Sequence, residues 1–388
     1  MKKLVTTVIL TAAMGTAGIA AFLHVRQGGA PQTPIGIVDL GPKDKPAGEQ
    51  QLIDVVFALD TTGSMGGLLD GAKRTIFSIA THIKETNGNA SLRIGLVAYR
   101  DIHDDYVTRV YPMTEDIDSI FADMTQLTAG GGGDLPEHVN KALSDVLAMP
   151  WRDKAAKMVF LVGDAPPAPR GDAPDADTLA AQAAARQITI NTVRCGGNGQ
   201  TEVAWQQIAA LAGGEYSSIA QDGGVREIAT PYDAEMAALS RRIDESTIIY
   251  GDEGDRTRYG RKMAAAAAAP APTAAARADY YVKAKPGKSR DDKDLIGGLA
   301  EGKMSMSDLE VEKLPEDLRA MNEADRAAQI KAKAEERNRL QGQLKELTTK
   351  RREYLAKEAA ASGGAGAGSG FDAEVSRTVD KTLAKKRK

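Results

Sequence analysis

Short apolar runs alternate with helical segments between residues 52 and 249, and this alternation constrains the fold more than any other feature. Leu52–Leu59 is apolar but for Asp54, as a strand buried on both faces must be. Met65–Lys84 has helical spacing, Leu92–Tyr99 reads as a second strand, and Val107–Tyr111 can pair with it as an antiparallel edge. Helices follow at Ile117–Leu127 and Pro136–Met149, then strand Lys157–Val162, helix Ala176–Gln187 and strand Ile188–Val193. Helix Thr201–Leu211, strand Tyr216–Ile219 and helix Asp233–Ile249 close the series. Such a pattern predicts an α/β fold with a doubly wound, mostly parallel sheet and one antiparallel edge strand. Ligands of such sheets bind beyond the carboxyl ends of the strands, which directs attention to the loops there.

The flanks differ in character. Lys2 and Lys3 precede Leu4–Leu23, twenty residues without a charge. Twenty helical residues span about 30 Å, enough to cross a bilayer. Residues 1–26 are therefore expected to be a signal anchor or a signal peptide, with the anchored form favoured. The rest would then lie outside the cytoplasm, in the periplasm or at the cell surface, anchored in the inner membrane by residues 4–23. Residues 27–50 read as a linker, and residues 251–290 as an Ala/Pro-rich linker. Residues 291–360 read as a helical extension, with Asn322–Ala359 as one long charged helix. Its seam of Leu340, Leu344, Leu347 and Tyr354 could self-associate as a coiled coil or stay a solvated single helix. Residues 361–388 read as a Gly-rich break and a basic tail.

Charge is divided along the chain. Residues 51–250 carry 16 Lys+Arg against 27 Asp+Glu, whereas the remainder carries 34 against 26. An acidic module repels nucleic acid and attracts cations. The single cysteine, Cys195, excludes a disulfide within the chain.

Three loops carry the chemistry. Asp60-Thr61-Thr62-Gly63-Ser64-Met65 leaves the first strand with oxygen-bearing side chains at alternate positions, so that Asp60, Thr62 and Ser64 can converge. Gly130-Gly131-Gly132-Gly133-Asp134-Leu135-Pro136-Glu137 offers Asp134 at an expected helix start, and Gly163-Asp164-Ala165-Pro166-Pro167 offers Asp164 just past another strand. Carboxylate and hydroxyl oxygens suit hard cations, Mg²⁺ or else Mn²⁺ or Ca²⁺. Taken singly, Thr62 or Ser64 could cap a helix, Asp134 could cap the next, and Asp164 could be a turn residue. Three such loops at one end of one sheet favour a metal site over those readings. Asp101 and Thr128 are accessory candidates. His103 and His138 lack zinc spacing and are expected to be solvated; Cys195 is expected to be structural.

These motifs resemble the von Willebrand factor type A (VWA) family, and most of all its hemicentin-like and alpha-kinase-associated branch. The similarity covers about half the chain. It implies a Rossmann-like fold and a metal-ion-dependent adhesion site to which Asp60, Thr62 and Ser64 contribute the first loop and Asp164 the third. Many family members place Thr in the second loop, where this chain has Asp134, with Thr128 the weaker alternative. The stretch from Leu314 through the charged helix also resembles an extension of bacterial VWA proteins. Together with the placement outside the cytoplasm expected from residues 1–26, the resemblance implies a non-enzymatic adhesion protein of the cell envelope that captures an Asp or Glu of a protein partner through the cation.

Two other functions stay open at this point: a structural envelope scaffold working through its C-terminal helix with a degenerate metal site, and a metal-dependent phosphatase-like enzyme. The second needs an acid two residues past Asp60, where Thr62 stands. A complete Gly-x-x-x-x-Gly-Lys-Ser/Thr phosphate-binding loop and a Gly-x-Ser-x-Gly elbow are both absent from the sequence.

Overall fold

β1 (Leu52–Asp60) alternates its side chains between two cores, sending Ile53, Val55, Phe57 and Leu59 into one and Val56 and Ala58 into the other. A strand covered on both faces belongs inside a parallel sheet. The structure is a computed structural model describing residues 50–88, 90–133, 135–171, 173–283, 289–361 and 370–386. After β1 come α1 (Gly66–Thr86), β2 (Ser91–Tyr99), β3 (Thr108–Thr114), α2 (Ile117–Thr125), α3 (Val139–Ala148), β4 (Ala156–Gly163), α4 (Ala176–Ala185), β5 (Ile188–Cys195), α5 (Gly199–Leu211), β6 (Tyr216–Ile219) and α6 (Asp233–Glu245). The sheet order is β3-β2-β1-β4-β5-β6; β3 alone runs antiparallel. α1 and α2 cover one face, while α3, α4 and α5 cover the other. This is the doubly wound, mostly parallel sheet with an antiparallel edge that the alternation predicts.

The rest of the chain departs from expectation. The stretch read as an Ala/Pro-rich linker folds into α7 (Glu253–Ala268) and α8 (Ala271–Lys283). Alanine is the best helix former and lets helices approach closely. Asp252 and Asp255 form a capping box at the start of α7. Tyr280 and Tyr281 of α8 enter the core beneath α1, with Tyr280 lying 6.2 Å from the Phe77 ring.

α9 (Leu295–Ala300), α10 (Glu316–Arg319) and α11 (Glu323–Ala361) follow. Leu340, Leu344 and Leu347 of α11 are buried against α6 and α8, so the seam expected to self-associate, or else to stay solvated, is covered by this chain itself. Arg337 of α11 is buried and pairs with buried Asp294 at 2.6 Å.

The basic tail is also corrected. α12 (Phe371–Lys386) places Phe371, Val375, Val379 and Leu383 against α1 and the sheet. Spaced every four residues, these form one apolar stripe.

The expected location outside the cytoplasm, with anchoring in the inner membrane, is not upheld. Among the described residues no helix is long and apolar enough to cross a membrane. Residues 4–23, on which that expectation rested, lie outside the described residues.

Candidate functional site

β1 delivers Asp60 to the carboxyl end of the sheet, fully buried. Asp60 Oδ1 accepts the Thr62 N–H at 2.8 Å and the Thr62 hydroxyl at 2.7 Å. Thr62 Oγ1 in turn lies 3.4 Å from Ser64 Oγ. The alternate spacing of the first loop thus brings Asp60, Thr62 and Ser64 together. Thr62 stands at the N-cap of the 3₁₀ turn over Gly63–Met65 but makes no side-chain cap bond, because its hydroxyl donates to Asp60. Ser64 lies inside that turn, so neither residue serves as the helix cap.

Asp60 Oδ2 is buried with no hydrogen-bond partner. Burial pushes the Asp60 carboxyl up from 3.8 to about 7; the Thr62 hydrogen bonds and the nearby Asp164 backbone N–H oppose the rise, and the charge of Asp164 adds to it. Asp164, just past β4, therefore acts on Asp60 electrostatically. Its Oδ2 accepts from the Gln221 amide at 2.7 Å, and its carbonyl accepts from the Thr201 hydroxyl at 2.8 Å.

The second loop is tied to the first. Gly130 N–H donates to the Thr61 carbonyl at 3.1 Å, and Gly63 N–H donates to the Gly131 carbonyl at 3.2 Å. Gly132 has φ +81°, and a Cβ there would lie 3.1 Å from Thr62 Cβ, so glycine suits both the conformation and the close approach. Asp134 lies outside the described residues. α3 begins at Val139, later than expected, and its N-cap is His138, whose Nδ1 accepts the Lys141 N–H at 3.3 Å.

The accessory candidates have other engagements. Asp101 is buried past β2; Arg170 pairs with its Oδ2, while its Oδ1 is buried with no hydrogen-bond partner. Thr128 is exposed, and its carbonyl accepts from Arg100 Nη2 at 2.6 Å. Arg100 Nε also donates to the Thr61 carbonyl at 3.1 Å, joining the first two loops. Arg100 and Arg109 both stand over the Tyr106 ring, at 4.5 and 4.1 Å, and the Tyr106 hydroxyl lies 2.7 Å from Thr61 Oγ1. His103 is exposed, as expected. His138 is buried, which corrects its reading as a solvated residue; burial and then nearby Lys141 lower its pKa, favouring the neutral acceptor. Cys195 is fully buried, and burial together with the charges of Asp60 and Asp164 pushes its thiol well up, which makes it unreactive.

Among the described residues no cluster of three or more His, Cys, Asp or Glu side chains is arranged to hold a metal ion. The oxygen set at β1 and β4 is of another kind: two carboxylates and two hydroxyls. Its unpartnered buried oxygen and hard donors fit a Mg²⁺-like ion. Sequence reasoning missed Tyr106 and Gln221. A lone Gln in a polar loop carries no pattern; the adjacent Cys195-Gly196-Gly197 turn, which makes room for it, is the one hint.

Oxygen-bearing loops at the carboxyl end of a parallel α/β sheet stand where ligands of such sheets bind. Residues 54–231 match the von Willebrand factor A domain, and the chain carries such a domain. It is similar to a putative ariadne-like RING finger protein of Acanthamoeba polyphaga mimivirus, with 31% identity over 126 residues, covering 32% of this chain and 12% of that one. The alpha-protein kinase vwkA of Dictyostelium discoideum is 25% identical over 119 residues, covering 30% of this chain and 19% of that one. The chain thus spans less than a fifth of either relative's length. Among solved structures it is similar to the SpRpn10 VWA domain, at 16% identity and TM-score 0.33, over 44% of this chain and 89% of that one. VWA domains generally mediate protein–protein interaction and are typically non-enzymatic.

Proposed function

We propose that the domain holds a divalent cation, Mg²⁺ or else Mn²⁺ or Ca²⁺, through Asp60, Thr62, Ser64, Asp164 and the second-loop Asp134, and uses it to grip an Asp or Glu of a protein partner. The observation that carries this reading is Asp60 Oδ2, buried without a hydrogen-bond partner on a carboxylate whose Oδ1 takes the Thr62 hydroxyl. An unpartnered buried carboxylate oxygen is costly to keep unless it serves a ligand. Such a cation supplies an electropositive coordination position that a carboxylate from outside can complete. Thr62 fixes the Asp60 carboxylate by two hydrogen bonds, so the other oxygen points to one place. Thr62 and Ser64 contribute neutral oxygens, which leaves the site's charge to the aspartates. We read the domain as non-catalytic, because Thr62 stands where aspartate-based phosphoryl transfer needs a second acid.

Calorimetric titration of Mn²⁺ into the full chain should show saturable binding that Asp60→Ala abolishes. An immobilised Glu-containing peptide should retain the protein with Mg²⁺ present and release it on chelation. Equal Mn²⁺ binding by wild type and Asp60→Ala would sink the proposal.

A further inference from the structure

We infer that Gln221 is a positioning residue for the candidate cation site: it holds the Asp164 carboxylate by one oxygen and leaves the other for the ion. This rests on the cation-binding reading above. Gln221 Nε2 donates to Asp164 Oδ2 at 2.7 Å and to the Ser64 carbonyl at 3.3 Å. An ionised carboxylate and a carbonyl only accept, so the amide nitrogen must face them. A single side chain therefore ties the first loop to the third.

The loop carrying Gln221 is braced on several sides. Gly196, at the end of β5, has φ +71°, and a Cβ there would overlap Gln221 Oε1; its N–H donates to the Ile219 carbonyl at 3.0 Å. Gly223 N–H closes a turn on the Ala220 carbonyl at 2.9 Å, and Gly224 N–H donates to Asp222 Oδ1 at 2.9 Å. The first residue of α12, Phe371, donates its N–H to the Gly223 carbonyl at 2.9 Å. Gln221 itself is exposed, so truncating it opens no core cavity. An exposed side chain that holds one oxygen of a candidate ligand carboxylate matches an outer-shell partner of a metal ligand.

The test titrates Mn²⁺ into the full-length wild type, Gln221→Met and Gln221→Ala, and records the thermal melt of each without metal. Methionine keeps the length of the side chain and removes the donor. We expect both variants to bind Mn²⁺ about 10–100-fold more weakly, the range seen for outer-shell partners, with metal-free melts like that of the wild type. Unchanged or tighter Mn²⁺ binding in the variants beside a wild type that binds would overturn the inference and leave the cation site standing. Weaker binding accompanied by a clearly lower metal-free melt would make Gln221 a structural residue and also overturn it. A wild type that binds no Mn²⁺ would remove the site itself.

Discussion

Arg277 of α8 grips Asp118 of α2 through two parallel hydrogen bonds, Nε to Oδ1 and Nη2 to Oδ2, each 2.7 Å. Arg277 Nη1 also reaches Asp244 of α6 at 2.7 Å, and the Tyr281 hydroxyl donates to Asp118 at 2.8 Å. All four residues are buried. Removing one member of such a cluster strands the others' charge in a dry interior. Arg277→Leu should therefore cost roughly 3–5 kcal/mol, as breaking a buried pair does. Urea unfolding of the full chain measures it, and an unchanged midpoint would refute the role given to the pair.

The same cluster sets a pH dependence. Burial by itself would raise the Asp118 carboxyl, but the Arg277 charge and hydrogen bonds, with the Tyr281 hydroxyl, override it and hold the group below its ordinary 3.8. A carboxyl depressed in the folded state adds stability that is present above its unfolded value and lost as pH falls through the lower folded one. Stability should thus drop as pH falls below 3.8, and Asp118→Asn should flatten that drop. Urea midpoints taken between roughly pH 5 and pH 2 test this. Equal slopes in wild type and variant would assign acid unfolding to other carboxylates.

The strands and the first loop were legible because their signals are local. Val55, Val56 and Phe57 are apolar in succession, and only a strand buried on both faces needs that. Asp60, Thr62 and Ser64 converge because alternate residues on a tight turn must. The segments α7 and α8 were misread because composition was weighed against the content of a core. Alanine counts for little volume, and the residues that fasten α8, Arg277 and Tyr281, meet partners more than a hundred positions away. The stripe of Phe371, Val375, Val379 and Leu383 was readable as an amphipathic helix, but the lysines after it drew the reading toward a tail. Nothing local marks Gln221, whose partners Ser64 and Asp164 are distant in sequence.

Phe371 is the anchor of α12. Its ring lies 6.0 Å from that of Phe57 in the middle of β1, within the core under α1. Phe371→Ala should cost about 3–5 kcal/mol, through lost burial and the cavity left behind. Because α12 follows a Gly-rich stretch, that loss should appear first as local release of the helix. Limited proteolysis should cut the variant near α12 well before the sheet unfolds. Simultaneous loss of both in the variant would mean that α12 is inseparable from the core.

Asp60 illustrates a conflict between stability and binding. One of its oxygens is buried and unpartnered, and Asp164 adds like charge nearby. Asp60→Asn keeps the shape, removes the charge and supplies a donor. The metal-free variant should melt at or above the wild-type temperature, by up to about 4 °C for each kcal/mol gained, while its Mn²⁺ affinity collapses. Trade-offs of this sign are common at binding sites. A variant that melts well below the metal-free wild type would show that Asp60 serves the fold instead.

Asp134 tests how the second loop divides its effort between cation and partner. It lies outside the described residues, but the glycines before it lean on Thr61 and Gly63. α3 itself begins at Val139 with His138 at its N-cap. As a ligand Asp134 would bring a third carboxylate beside Asp60 and Asp164, giving three negative charges around a doubly positive ion. A unit charge near the ion is worth on the order of several kcal/mol even at an effective dielectric near 20. Its removal should therefore loosen the cation. The same charge opposes an approaching Asp or Glu, so its removal should strengthen capture of the partner for each ion bound. Asp134→Asn and Asp134→Thr should both bind Mn²⁺ more weakly. Once saturated with Mn²⁺, both should retain a Glu-containing peptide more tightly than the wild type. If neither variant changes Mn²⁺ affinity, Asp134 is not a ligand, and the second-loop oxygen must come from Thr128 or from none.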